Sequence, residues 1–295
     1  MKKENGATLI NTVLVILVII LIVMVFTLLY SQGKTSKKSN TKFNAYGQEV
    51  ENIRKDETTT MSLKSSIAKK LIEKVDFESG ILDELIGFKK IDFINENSED
   101  YVYNDTILRM AMSKSFDELV KIDSQTGNQI HELEQKKLER SIENIFGDKI
   151  KYTNAMFKGI ISSTFENGNI FNTEISYNRA QKKYSMILRQ EGGNGFKYIK
   201  QVPFKINQVD ESTIELEQKI GFIVPIQKDG SWTNKAYKDY ISGELKNLQT
   251  LIDEKETIED LENKMEKEEL NIVKYTFKLD KSMNQYYLTN FEYKN

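Results

Sequence analysis

From residue 6 to residue 30 the chain reads GATLINTVLVILVIILIVMVFTLLY, and no charged side chain occurs between Glu4 and Lys34. At about 1.5 Å per residue such a run makes a helix of roughly 35 Å, long enough to cross a hydrocarbon core about 30 Å thick with some tilt. Val, Ile and Leu occupy every side of it, whereas a helix buried in a soluble core is shorter and keeps a polar stripe. The pattern predicts an N-terminal transmembrane helix that meets the lipid bilayer through residues 7–30. Residues 32–44 have no apolar period. Gly33, serines, asparagines and four lysines make them a solvated linker, with lysines placed to touch anionic headgroups.

Beyond the linker the period becomes helical. Leu63, Ile67, Leu71 and Val75 recur every four residues behind Ser62, a candidate N-cap. A second apolar cluster, Ile81, Leu82, Leu85, Ile86 and Phe88, fills residues 81–93 after Ser79-Gly80. A third helix is expected after Asn104-Asp105, with Ile107, Leu108, Met110 and Ala111 inward, and a fourth from about 128 to 146, closed by Gly147 as a C-cap. After Asp148 the period shifts toward two. Residues 171–177 and 184–190 read as a hairpin, and residues 196–206, 214–217 and 220–226 as further strands. Residues 233–270 read as two helices that meet near 255–257, with Thr257 and Asp260 as a capping signal. A last hairpin, 273–279 with 286–293, ends the pattern. The expectation is an α+β chain in three parts: an anchor over 1–31, a polar linker over 32–60, and a domain over 61–295 in which helices precede a mainly antiparallel sheet.

Charge and composition narrow the function. Lys and Arg number 42 against 44 Asp and Glu, so no global field favours nucleic acid, and none is expected as a partner. The absence of cysteine excludes disulfides, thiolate metal sites and cysteine nucleophiles. The two prolines, Pro203 and Pro225, with abundant Lys, Asn, Ile and Glu, fit an AT-rich bacterial genome.

Candidate chemistry is sparse. His131 is the single histidine, set beside Glu132 and Glu134, and reads as a surface residue of a charged helix. No Gly-x-Ser-x-Gly elbow occurs. Gly192-Gly193-Asn194-Gly195 lacks the Gly-Lys-Ser/Thr of a phosphate loop and precedes a strand, so it reads as a connection. The acidic run 254–269 is interspersed with Lys at helical spacing, as a solvated face is. Tyr177, Tyr184, Tyr198, Phe222, Tyr275 and Tyr287 belong to strands, where one face packs as core and the other is free to line a concavity. No catalytic residue, cofactor or metal ligand is assigned.

The front of the apolar run, Gly6-Ala7-Thr8-Leu9-Ile10-Asn11, resembles the processing motif of type IV prepilins. Gly6, Thr8, Leu9 and Ile10 match; Asn11 stands where that family carries a glutamate. The resemblance implies cleavage after Gly6, leaving Ala7 as the new N-terminus, and a translocated C-terminal part. Lys2 and Lys3 before the run have the shape of an export signal, while residues 28–32 offer no pair of small residues for signal peptidase, so the segment is expected to remain as a signal anchor. Lys34, Lys37, Lys38 and Lys42 oppose this orientation by the positive-inside rule. The export shape and the prepilin resemblance together place the domain outside the cytoplasm.

The stretch Ile145-Phe-Gly-Asp-Lys-Ile-Lys-Tyr152, with Gly192-Gly193, the strand at Ile220-Gly221-Phe222-Ile223, Tyr275-Thr-Phe-Lys and Tyr286-Tyr287, resembles a group of uncharacterised single-pass membrane proteins of low-GC Gram-positive bacteria. That resemblance implies an anchored extracytoplasmic α+β domain without assigned activity. Helices followed by a curved antiparallel sheet are also similar to cystatin-like or NTF2-like domains, an analogy of fold alone. Three readings stay open: a non-catalytic interaction or binding protein on a single-pass anchor, with a protein partner; a pilin-like or pseudopilin-like subunit; and a ligand-binding or enzymatic NTF2-like domain.

Overall fold

The computed structural model describes residues 42–43, 49–50, 58–123, 129–159, 161–162, 170–191, 198–239, 249–252 and 257–294. Residues 6–30, where the transmembrane helix is expected, lie outside these. Among the described residues no helix is long and apolar enough to cross a membrane. The chain divides into two units, Met1–Arg54 and Lys55–Asn295. In the first, strands β1 (Lys42–Phe43) and β2 (Glu49–Val50) pair antiparallel.

The second unit is α+β with antiparallel sheets. It opens with β3 (Thr59–Thr60), α1 (Ser66–Lys74), α2 (Ser79–Phe88), β4 (Lys90–Asp92) and α3 (Asn104–Lys114). After a 3-10 turn at Phe116–Glu118 come β5 (Val120–Asp123), β6 (Gln129–Glu134) and α4 (Gln135–Phe146). Local chemistry sets these bounds. Ser65, not Ser62, caps α1, its hydroxyl accepting from the Ala68 N–H at 3.2 Å. The cluster over 81–93 divides, because α2 ends at Phe88 and Lys89 turns the chain into β4 with a positive φ of 62°. Helix α4 buries Leu138, Ile142, Ile145 and Phe146 along one face and stops at Gly147, whose φ is 77°. A Cβ at Gly147 would also stand 2.8 Å from the Tyr287 ring, so both conformation and space call for glycine there. The helix expected from 128 thus starts at 135, and the residues before it are a strand.

The remaining elements are β7 (Ile161–Ser162), β8 (Ile170–Asn178), β9 (Lys183–Glu191), β10 (Tyr198–Gln208), β11 (Thr213–Lys228), β12 (Ser231–Tyr237), β13 (Thr250–Ile252), α5 (Ile258–Lys267), β14 (Ile272–Asp280) and β15 (Gln285–Lys294). The nine strands among them, with β3, β4, β5 and β6, form two sheets. The smaller has the order β5-β6-β9-β8-β7; the larger runs β13-β12-β11-β14-β15-β4, with β10 also on β11 and β3 on β10. Strand β11 is the long member at 16 residues, so the segments expected at 214–217 and 220–226 are one strand. It pairs with β14 over its first half and with β12 over its second. Where a pair of helices is expected over 233–270, the described residues form β12, β13 and the helix α5, whose Thr257 and Asp260 do form a capping box, while residues 240–248 and 253–256 lie outside the described residues.

Alternation along β11 separates two environments. Ile214, Leu216, Ile220 and Phe222 are buried on one face, Ile214 and Leu216 in register with Phe277 and Tyr275 of β14, and Tyr275 packs edge-on to Phe291 at 5.5 Å. On the other face Ile223 joins Val202, Ala236 and Leu251 in a smaller core under Leu261 and Met265 of α5. Gly221 lets α5 approach, since a Cβ there would lie 3.2 Å from Met265 Sδ. Farther along that face the sheet is charged: Lys274 Nζ lies 3.1 Å from both Glu215 and Glu292.

Three lysines satisfy the open carbonyls of helix ends other than their own, where the macrodipole favours a cation. Lys114 of α3 donates to the Glu73 and Asp76 carbonyls after α1, and Lys219 of β11 to those of Glu266 and Glu268 after α5. Lys74 of α1 reaches the Asn144 carbonyl of α4 and the Tyr286 carbonyl of β15, with the Tyr287 ring 5.1 Å away.

Candidate functional site

Gly6, Ala7 and Asn11, the residues of the prepilin-like motif, lie outside the described residues, as does the Gly192 to Gly195 connection. His131 belongs to β6 and not to a helix, with Met186 and Lys121 as its neighbours in register. Its Nδ1 is buried, with no hydrogen-bond partner among the described residues. Among the described residues no group of His, Asp or Glu is placed to hold a metal ion.

What the fold brings together is a polar cluster where α4 meets the β8–β9 hairpin. Gln135 and Glu139 are one turn apart on α4, and Glu139 Oε1 accepts from Gln135 Nε2 at 2.6 Å and from Asn154 Nδ2 at 3.0 Å. The Tyr184 hydroxyl donates to Asn154 Oδ1 at 2.5 Å, and the Tyr177 hydroxyl to Gln135 Oε1. The two tyrosine rings lie 4.7 Å apart, and Phe157 meets Tyr184 at 5.8 Å. Burial, aided by Tyr177, Tyr152 and Glu139, pushes the Tyr184 phenol up; burial, then Glu139 and Glu143, pushes Tyr152 up to about 12. Both phenols are therefore neutral donors at physiological pH. They are suited to holding and recognising, since a base poised near neutrality needs the opposite shift.

Asn154 and Phe157 tie the segment 150–157 to this cluster, and residues 150–153 form one wall of an open cleft of about 750 Å³. Ile150, Lys151, Tyr152 and Thr153 face Glu96, Tyr101 and Val102 across it. At one end Asn104 closes the two walls together: its Oδ1 accepts from the Thr153 N–H at 2.7 Å and its Nδ2 donates to the Thr153 carbonyl at 3.1 Å. Lys151 and Glu96 pair at the rim, 2.6 Å apart. A smaller cleft of about 110 Å³ shares Tyr101 and Val102 and adds Phe88, Tyr103 and Glu99. The loop between the clefts is held by Asp92, whose Oδ1 accepts from the N–H groups of Ile94 and Asn95, both at 2.9 Å.

Sequence reading singles out Tyr177 and Tyr184, as strand aromatics with a face free to line a concavity, but not Gln135, Glu139 or Asn154. Gln135 and Glu139 carry a local signal in their spacing by four on the polar side of an amphipathic helix. Asn154, Tyr177 and Tyr184 join them only through the fold. No family model, curated protein or solved structure matches the chain.

Proposed function

We propose that this chain is a single-pass membrane-anchored protein whose α+β unit acts outside the cytoplasm as a non-catalytic binding module. The observation that carries the reading is the charge-free run over residues 6–30, long enough to span a bilayer and followed by a lysine-rich polar linker. Two features support it. The unit Lys55–Asn295 is separate from the part that holds the run. Its accessible clefts are lined by tyrosines, aliphatic side chains and exchangeable ion pairs, the composition of a recognition surface. The resemblance to single-pass proteins of low-GC Gram-positive bacteria points the same way. An NTF2-like enzyme or ligand carrier would place convergent polar groups inside a curved sheet, whereas the two clefts described here lie beside the large sheet's β4 edge.

A second reading, a pilin-like subunit, has its own observation in Gly6, Thr8, Leu9 and Ile10. Cleavage would leave a charged amine on Ala7, and Asn11 carries no counter-charge for it, so assembly into a fibre would bury an uncompensated ion at a cost of several kcal/mol. Flotation of the full chain with membranes, protease digestion of intact protoplasts, and mass measurement of the mature N-terminus separate these readings. The anchored module predicts flotation, digestion from outside and an N-terminus that precedes Gly6. Protection until lysis would reverse the orientation, and an N-terminus at Ala7 in sheared surface filaments would establish the pilin.

A further inference from the structure

Residues 101–103 run extended between the two clefts. Tyr103 has φ −76° and ψ 147°, and Tyr101 forms a parallel bridge to Asp92 of β4. The Val102 N–H donates to the Asp92 carbonyl at 3.2 Å and the Asp92 N–H to that of Asp100 at 2.8 Å, so this segment continues the large sheet past its last strand. Across the wider cleft, the backbone of Thr153 is already met by an amide. The Asn104 side chain accepts from its N–H and donates to its carbonyl, the two-point pairing that a neighbouring peptide group makes in an antiparallel ladder. No described residue pairs with the backbone of Lys151 or Tyr152, which continue the same wall.

The smaller cleft supplies a different selectivity. The rings of Phe88 and Tyr103 lie 5.8 Å apart and are 39% and 69% exposed. Glu99 and Asp100 line the same space. Lys90 engages Asp100 at 3.0 Å, while no described cation pairs with Glu99. Exposed aromatic faces beside a carboxylate that no described cation pairs favour an ammonium or guanidinium group over a neutral or anionic one.

We propose that the two clefts form one binding site for an extended peptide that carries a lysine or arginine side chain. The peptide backbone adds to the wall at Lys151 and Tyr152, continuing the pairing that Asn104 begins, and its cationic side chain enters the space bounded by Phe88, Tyr103 and Glu99. The exposed Lys151–Glu96 pair at the rim is weak enough to open as the peptide enters. Main-chain pairing provides affinity and the side-chain space provides preference, as in strand addition at other sheet edges. The inference rests on the binding-module reading and supplies its ligand chemistry.

The test uses the full chain in detergent micelles and a blocked peptide, acetyl-Val-Thr-Lys-Thr-Val-amide, bearing a fluorophore and a diazirine at its first position. Its counterparts carry Glu in place of Lys, or N-methylated amides. Anisotropy should show the lysine peptide bound more tightly than the glutamate peptide by at least about fivefold, with binding lost on N-methylation. Photocrosslinks should fall within residues 96–104 and 150–153. Glu99→Lys, a change at an exposed position, should abolish the preference while leaving the melting curve unchanged. No saturable binding, equal affinity for both peptides, or an unaltered preference in Glu99→Lys would overturn the proposal. Crosslinks confined to another surface would also overturn it yet leave the binding module standing, whereas failure to float with membranes bears on the anchored reading alone.

Discussion

Helix α4 meets two chemistries on its two sides. Toward the large sheet it is apolar: Phe146 packs on Phe93 at 5.0 Å, and the helix lies against β15. Toward the smaller sheet it presents Gln135 and Glu139 to amides and phenols. Burial of large apolar groups gives the first side a stability that pH does not alter, except at its end, where Lys74 joins α4 to β15. The second depends on hydrogen bonds that converge on a single carboxylate, each worth about 1 kcal/mol net. The wall of the wider cleft is tied to this second side through Asn154, so the candidate recognition surface is held by polar ties while the fold rests on the apolar core.

Four substitutions test that contrast. The largest effect is expected for Phe291→Ala, which empties a fully buried site beside Tyr275. A loss of about 3–5 kcal/mol in urea denaturation is expected, a substantial part of a domain's stability. A loss below about 1 kcal/mol would remove the large sheet from the role given to it.

Lys74 comes next, because it joins the C-terminal end of α4 to β15. Burial lowers its amine from 10.5 to about 8. Below pH 8 both folded and unfolded chains hold the proton, and the full burial penalty is felt. Between about pH 8 and 10.5 the unfolded chain binds more protons, so this group makes stability rise with pH. Lys74→Met should flatten that rise by about 2 kcal/mol, after allowance for its partial exposure. Identical pH profiles for the two proteins would show that the amine is not desolvated.

On the polar side, Glu139→Leu leaves Gln135 Nε2 and Asn154 Nδ2 without their acceptor and should cost about 1–2 kcal/mol. It should also lower the Tyr152 phenol from about 12 toward its ordinary value, because Glu139 follows burial among the causes of that shift. Ultraviolet titration reads this directly, and an unmoved transition would separate Tyr152 from the cluster. The smallest effect is Thr257→Ala, which removes one half of the α5 capping box and should cost about 1 kcal/mol.

The contrast also explains what could be read from sequence. The helical first half, the hairpins and the antiparallel second half were legible because apolar residues repeat at the period of each element, as Leu138, Ile142 and Ile145 do on α4 and Val273, Tyr275 and Phe277 on β14. Strand β6, QIHELE, was not: Ile130, His131 and Glu132 are all half-buried, and Leu133 falls close to the helical stripe of α4, so the two merge in the pattern. The residues of β12 from 233 on fall in a stretch whose pattern reads as helix, although Asp229-Gly230 precedes the strand. Their positive φ values of 50° and 80° make the tight hairpin turn that this dipeptide favours. The clefts had no periodic signature. They arise where Asn104 meets Thr153, 49 residues away, and where Tyr184 meets Asn154, 30 residues away.

The proposed arrangement is a self-contained recognition unit carried on a membrane anchor. Removal of residues 1–54, followed by flotation and thermal unfolding, tests it most directly. The account predicts that the remaining chain leaves the membrane fraction and unfolds in one cooperative transition with the midpoint of the full-length protein. Retention on membranes, or loss of the cooperative transition, would contradict it.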